Sequence, residues 1–121
     1  MSSQPGRAPQ RVTDRRPRRH PRFRSEFPVS IELFSGGEWQ QFDAHCKDLS
    51  EAGMGVLVAA ELTMGEVVTL AFLVPGMEPW SVRAVLRHRR RYQYGCEFLA
   101  LSDEQKKELS AYLSGRERAD D

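Results

Sequence analysis

Two short arrays in this 121-residue chain combine residue types able to hold a ligand. Arg18 and Arg22 are spaced R-x-x-x-R, and Asp48, Ser50 and Gly53 are spaced D-x-S-x-x-G. Arginine carries a charge that does not titrate and a rigid fork of donors, so the first array suits an anion. An ionised aspartate only accepts hydrogen bonds, a serine hydroxyl donates and accepts, and glycine permits conformations and close approaches that a Cβ forbids. The two arrays differ in weight. An arginine-rich chain generates R-x-x-x-R freely, and Arg11/Arg15, Arg15/Arg19 and Arg87/Arg91 fit it as well. D-x-S-x-x-G is scarcer, arising by chance in roughly a few per cent of chains this long at ordinary residue usage. Aspartate, serine and glycine are also common turn residues, and an Asx or Ser cap would account for the second array without a ligand.

The distribution of charge favours an anionic partner. Lys+Arg 18 against Asp+Glu 17 leaves a net +1, which taken whole argues against one. Residues 1–24, however, hold eight arginines and one acid, Asp14, a local charge of +7, and the other 97 residues therefore carry −6. Residues 83–91 (RAVLRHRRR) add five arginines and no acid. The basic charge sits in two blocks, and something anionic is expected at one or both.

Little in the chain points to bond-breaking chemistry. It contains no nucleophile elbow, phosphate-cradling glycine loop or metalloprotease helix. Cys46, Cys96, His20, His45 and His88 show no metal-ligand spacing, so neither a metal nor a cofactor is expected. Both cysteines fall on the apolar parity of strand-like segments and are expected as buried free thiols. No apolar run approaches the roughly 20 residues needed to cross a bilayer. The arginine-rich start lacks the apolar stretch of a secretory signal. The expectation is a soluble, cytoplasmic protein with no membrane insertion and no enzymatic activity.

The elements that must position the two arrays are legible from periodicity. With 40% apolar residues the chain can build one small core. Residues 1–17 form an expected flexible, arginine-rich arm, and its order-resisting composition continues to residue 24. The domain is expected over 18–114, with strands at about 27–100 and a helix at about 102–114, followed by a polar tail at 115–121. Val29, Ile31 and Leu33 alternate inward on the first strand, and Phe42, Ala44 and Cys46 on the second, across a Ser35-Gly36-Gly37 turn. GMGVLVAA reads as a third strand and EVVTLAFLV as a fourth. In the fifth, WSVRAVLRHR, Val82, Ala84 and Leu86 point inward while Arg83, Val85 and Arg87 point out. The sixth, RYQYGCEFL, places Tyr92, Tyr94, Cys96 and Phe98 on the core side. Trp39 and Trp80 open their strands and are expected to pack at a barrel rim. Ser102 followed by Gln105 reads as a capping box for a helix with Leu109, Tyr112 and Leu113 as its apolar stripe. Six short strands with no crossover helix favour an antiparallel barrel or barrel-like sandwich with one helix packed over an opening.

The arginine pair abutting the first strand, together with D-x-S-x-x-G between strands two and three, resembles the PilZ domain. The resemblance covers about residues 15–114 and extends to the strand order, the late strand carrying Gly95 and Phe98 (YGCEF), and the terminal helix. It implies an all-β fold, a six-stranded antiparallel PilZ-type barrel with a C-terminal helix. It further implies binding of cyclic di-GMP, a bacterial second messenger, through Arg18, Arg22, Asp48, Ser50 and Gly53. Arginine can fork onto the phosphates, pair with guanine O6 and N7, and stack on a purine. Asp48 would accept from the guanine N1–H and N2–H₂ edge or hold an arginine in place. Ser50 would contact a phosphate or base. Gly53 would supply a positive-φ turn or allow close approach of the ligand. Arg19, Arg87, His88 and Arg89 stand near this set without being required by the motifs.

The resemblance implies a receptor in which the ligand clamps the arm onto the barrel and changes a surface read by a downstream protein. Two alternatives compete. A small barrel with a basic arm could track single-stranded nucleic acid, but this leaves the D-x-S-x-x-G loop unexplained and calls for outward aromatics, so no nucleic-acid partner is expected. The other is a PilZ-like interaction module that does not use the nucleotide.

Overall fold

The computed structural model of the chain describes residues 20–74 and 76–116. The arm at 1–17, Arg18 and Arg19 lie outside these residues, as does most of the expected polar tail. Six strands and one helix run in order: β1 Phe23–Ser35, β2 Glu38–Leu49, β3 Gly53–Leu57, β4 Val67–Phe72, β5 Trp80–Arg90, β6 Gln93–Phe98 and α1 Asp103–Leu113. Every neighbouring pair is antiparallel, and the sheet closes on itself in the order β1-β2-β3-β6-β5-β4. This is the six-stranded barrel with a C-terminal helix that the resemblance implies, one of the two architectures the alternation allows.

Strict alternation fills the interior. β1 contributes Phe27, Val29, Ile31 and Leu33, β4 Val68, Leu70 and Phe72, and β5 Trp80, Val82, Ala84 and Leu86. The Tyr94 ring is fully buried, and its hydroxyl accepts from the Leu62 amide at 2.9 Å and donates to the Ala60 carbonyl at 2.7 Å. That pair of bonds ties the long β3–β4 connection to the core and satisfies a hydroxyl that burial would otherwise penalise. The helix starts at the expected capping box, with Ser102 and Gln105 each accepting from the other's backbone amide at 3.0 Å. Leu109 and Leu113 bury themselves in the barrel core, and the Tyr112 hydroxyl lies 2.6 Å from the Ser25 hydroxyl on β1.

The structure corrects several of the sequence expectations. β1 begins at Phe23 and not at about residue 27, so residues 23 and 24 are strand and not arm, because Phe23 packs on the core and Ser25 is buried against Tyr112. Tyr92 is 57% exposed, not a core residue: Arg90 pairs with Gln93, leaving Arg91 (φ 60°) and Tyr92 as a two-residue turn outside the alternation. Val85, expected to face outward, is buried. Trp80 is buried beside Phe72, whereas Trp39 stands 69% exposed at the tip of the β1–β2 hairpin.

Among the described residues no helix is long and apolar enough to cross a membrane. The helix dock gives a stability test. Leu109→Ala should cost about 2–5 kcal/mol, from lost burial and the cavity left behind. Tyr112→Phe should cost about 0.5–1.5 kcal/mol, because it removes one hydrogen bond. Both are read as shifts of the urea unfolding midpoint.

Candidate functional site

Three register shifts lie beside the predicted site residues, and those in β2 and β5 interrupt the inside–outside alternation. In β2 the register shifts between Cys46 and Asp48, in β1 between Arg24 and Phe27, and in β5 between Leu86 and His88. A bulge inserts one residue and flips the parity of every residue after it. Strict alternation would send Asp48 inward with Cys46, and His88 inward with Leu86. The extra residues, Lys47 and Arg87, turn both to the outer face instead. Lys47 also reaches Glu26, one of the two β1 residues opposite it, with Nζ donating to Oε2 at 3.3 Å. That hydrogen bond and the lysine's charge hold the Glu26 carboxyl below its usual pKa.

The bulges align one row of residues across five strands: Arg24 on β1, Asp48 on β2, Gly55 on β3, Gly95 on β6 and His88 on β5, each the register partner of the next. Gly55 and Gly95 lie side by side and form a bare floor of backbone. The Asp48 carboxylate leans over one glycine, since a Cβ built on Gly55 would sit 3.1 Å from both carboxylate oxygens. The His88 ring lies over the other, with Cδ2 3.0 Å from where a Gly95 Cβ would be. Arg22, just upstream of β1, donates from Nη1 to Asp48 Oδ1 at 3.1 Å; the two side chains are 28% and 14% exposed.

Ser50 and Gly53 hold positions of another kind. The Ser50 hydroxyl is buried and accepts from the Ala52 and Gly53 amides at 3.0 and 3.1 Å, while the Ser50 amide donates to the Gly53 carbonyl at 2.8 Å. This is a closed serine turn whose hydroxyl is already engaged within the loop. Gly53 does not carry a positive φ. A Cβ there would collide with the Cys96 carbonyl oxygen of β6, so the close approach it permits is to a neighbouring strand.

Of the five predicted site residues the structure therefore brings Arg22 and Asp48 into contact and gives Ser50 and Gly53 the turn that places β3. Arg18 lies outside the described residues. Sequence reasoning misses Gly55, treats Gly95 only as framework and leaves His88 outside the set. The signal that could find them is the glycine spacing, because glycine inside a strand marks close approach of something else. Arg87 pairs with Glu97 at 2.6 Å, and Arg89 donates to the Arg91 carbonyl at 2.8 Å with its guanidinium 5.4 Å from the Tyr94 ring centre.

A PilZ domain family model matches residues 16–115. The chain belongs to the PilZ domain family. No curated protein matches it. Among solved structures it is similar to the PilZ domain with c-di-GMP of YcgR from Escherichia coli, at 17% identity and TM-score 0.65, covering 84% of this chain and 92% of that one. It is also similar to the PilZ domain of CeSA from a cellulose-synthesizing bacterium, at 18% identity and TM-score 0.59, covering 78% and 95%. The Bacillus subtilis inhibitor of motility, MotI/DgrA, aligns at 17% identity and TM-score 0.65 over 82% of this chain, which spans 50% of that protein. At these identities the likeness is one of fold.

Both cysteines are buried free thiols, as their parity predicts. Burial, the larger influence, pushes the Cys96 thiol up to about 12 against the opposing pull of Arg22. Burial and then the Asp48 charge push Cys46 up as well. The native protein at pH 8 should therefore resist iodoacetamide and label at both positions only in denaturant, as read by mass spectrometry. Gly53→Ala should lower the melting temperature without any ligand present, because β6 backbone must shift to admit the methyl group. An unchanged melting temperature would show that the collision is relieved at no cost.

Proposed function

We propose that this PilZ protein is a receptor for cyclic di-GMP and that the ligand occupies the glycine floor. The observation that carries the reading is the Arg22–Asp48 pair at the edge of two adjacent bare glycines. A purine is flat, and Gly55 and Gly95 leave backbone against which a flat ring can lie. Asp48 supplies acceptors for the guanine N1–H and N2–H₂ edge. Arg22 supplies a fork for a phosphate or for guanine O6 and N7. His88 bounds the opposite side of the floor with a second flat group. The family's ligand, as named in the related structures with YcgR and MrkH, has the chemistry this set can take.

The arm completes the site. Arg18 is four residues from Arg22, and the chain's N-terminal arginines exceed what one dianion can pair. In this reading the ligand draws Arg18 and Arg22 onto the barrel, orders the arm against the Asp48 face, and presents a changed surface to a downstream protein. The output is binding and not turnover, in the cytoplasm where the second messenger is made. Ser50 contributes through the turn that sets Asp48 and β3, since its hydroxyl has its partners within the loop.

The test is titration calorimetry with cyclic di-GMP. One charge-assisted hydrogen bond is worth about 1.5–3 kcal/mol, so Arg22→Ala should weaken binding by roughly 10- to 100-fold. Asp48→Ala should weaken it comparably, while a single-stranded RNA oligonucleotide should give no heat at physiological salt. An unchanged affinity in Arg22→Ala would overturn the assignment.

A further inference from the structure

The β1–β2 hairpin outruns the barrel. β1 pairs with β4 only over Val29–Glu32, and β2 pairs with β3 only from His45 onward. From Glu38 to Ala44, β2 therefore has β1 on one side and, among the described residues, no strand on the other. Seven residues of open edge span roughly 23 Å at about 3.3 Å per residue. Such edges are ordinarily blunted by proline, lysine or a bulge. The segment EWQQFDA has no proline and no lysine, and the β2 bulge comes only after Cys46.

The outer face of this ribbon combines exposed aromatic rings with carboxylates. Phe34 and Trp39 are register partners at the tip, 58% and 69% exposed, with ring centres 5.4 Å apart. By alternation Glu32, Gln41, Asp43 and His45 share their face. Where β3 diverges from β2 the same face runs into an open groove of about 470 Å³, lined by Asp43, His45, Leu57, Val58, Ala59 and Tyr92. Leu57 and Tyr92 there are 38% and 57% exposed. Between Ser25 and Cys46 the chain has four carboxylates, Glu26, Glu32, Glu38 and Asp43, and not one lysine or arginine. Exposed tryptophan and phenylalanine with a polar rim are the composition of an interface centre. Along the ribbon itself this charge disfavours an acidic occupant, while Arg90 and Arg91 stand next to Tyr92 at the groove end.

We infer that the open edge of β2 and its Trp39–Tyr92 face form a docking surface on which an extended, basic segment of a partner protein adds as a further strand. Backbone bonds to Glu38–Ala44 would supply affinity, as in other strand additions. Alternate side chains would supply specificity, with cationic groups meeting Glu32, Asp43 and the Trp39 ring, and apolar groups entering the groove. The hairpin end of this surface, at Phe34 and Trp39, lies away from the glycine floor, whereas the groove end adjoins it, Leu57 being two residues from Gly55 on β3; the inference does not rest on what that floor binds.

The probe is a capped eight-residue peptide alternating arginine and valine, titrated into the full chain and followed by amide chemical shifts. Binding should move the amides of Glu38–His45, Leu57 and Tyr92. Trp39→Ala and Asp43→Lys, both at exposed positions, should each weaken it at least 10-fold, and Arg22→Ala should leave it unchanged. No binding, shifts centred elsewhere, or equal binding of the glutamate–valine counterpart would overturn the inference. So would a dimer seen at sedimentation equilibrium and lost in Trp39→Ala, which would make a second copy the occupant. Protection of the β2 edge from hydrogen exchange that vanishes when Arg7, Arg11, Arg15 and Arg16 are replaced by serine would assign it to the chain's own arm, with the same effect.

Discussion

The barrel closes only because two backbones can touch at Gly53. Its sheet has two seams between the first three strands and the last three: β1 with β4 over four register pairs, and β3 with β6 over five. The second seam opens with Gly53 opposite Glu97, and Cys96 carbonyl oxygen stands where any Cβ on residue 53 would have to go. The Ser50 turn delivers the chain to that point, and the Phe98 amide donates to the Ala52 carbonyl at 2.7 Å to lock it. Two of the three residues of the D-x-S-x-x-G array are therefore architecture. Serine and glycine bring β3 into register, and that register sets Gly55 beside Asp48 on one side and Gly95 on the other.

The bulges do the remaining work of the site. A barrel this small fills its interior with side chains, so each inward position is committed to packing. A polar group can face a ligand only from an outward position, and it gains shelter there only if its neighbours are small. The bulges at Lys47 and Arg87 satisfy the first condition for Asp48 and His88, and the paired glycines satisfy the second. Asp48 is 14% exposed although it points away from the core, because Arg22 and the Gly55 backbone shelter it.

Much of this is legible in the sequence where one local rule suffices. Alternation marks the inward residues of β1, β4 and most of β5, and the Ser102–Gln105 spacing marks the helix start. The contact between Arg22 and Asp48 joins residues 26 apart, and the motif resemblance, not periodicity, points to it. What stays hidden depends on register. A bulge changes parity without a distinctive residue type, so the outward turn of His88 cannot be read from RAVLRHRRR. Tyr92 looks like a core residue because counting by twos from Tyr94 runs through a turn. The juxtaposition of Gly55 with Gly95 exists only once β3 is paired with β6. Trp39 misleads for a related reason: its hairpin outruns the flanking strands β3 and β4, and strand length against neighbour length is a property of the assembled sheet.

The charges explain how such a surface can be specific. Arg22 and Asp48 meet through a single 3.1 Å contact that is partly open to water, and pairs of that kind are worth little net free energy. In the proposed receptor an incoming phosphate would therefore take the guanidinium at small cost while the freed carboxylate turned to a donor edge of the same ligand. A ligand carrying both an anion and a donor edge gains twice where a bare phosphate gains once. Long polyanions meet the opposite balance, because beyond the arm the body is −6 and its protruding ribbon carries carboxylates without bases. In the proposed receptor, the +7 of residues 1–24 would then serve only something compact enough to lie between those arginines and the Asp48 face without extending over the rest of the barrel.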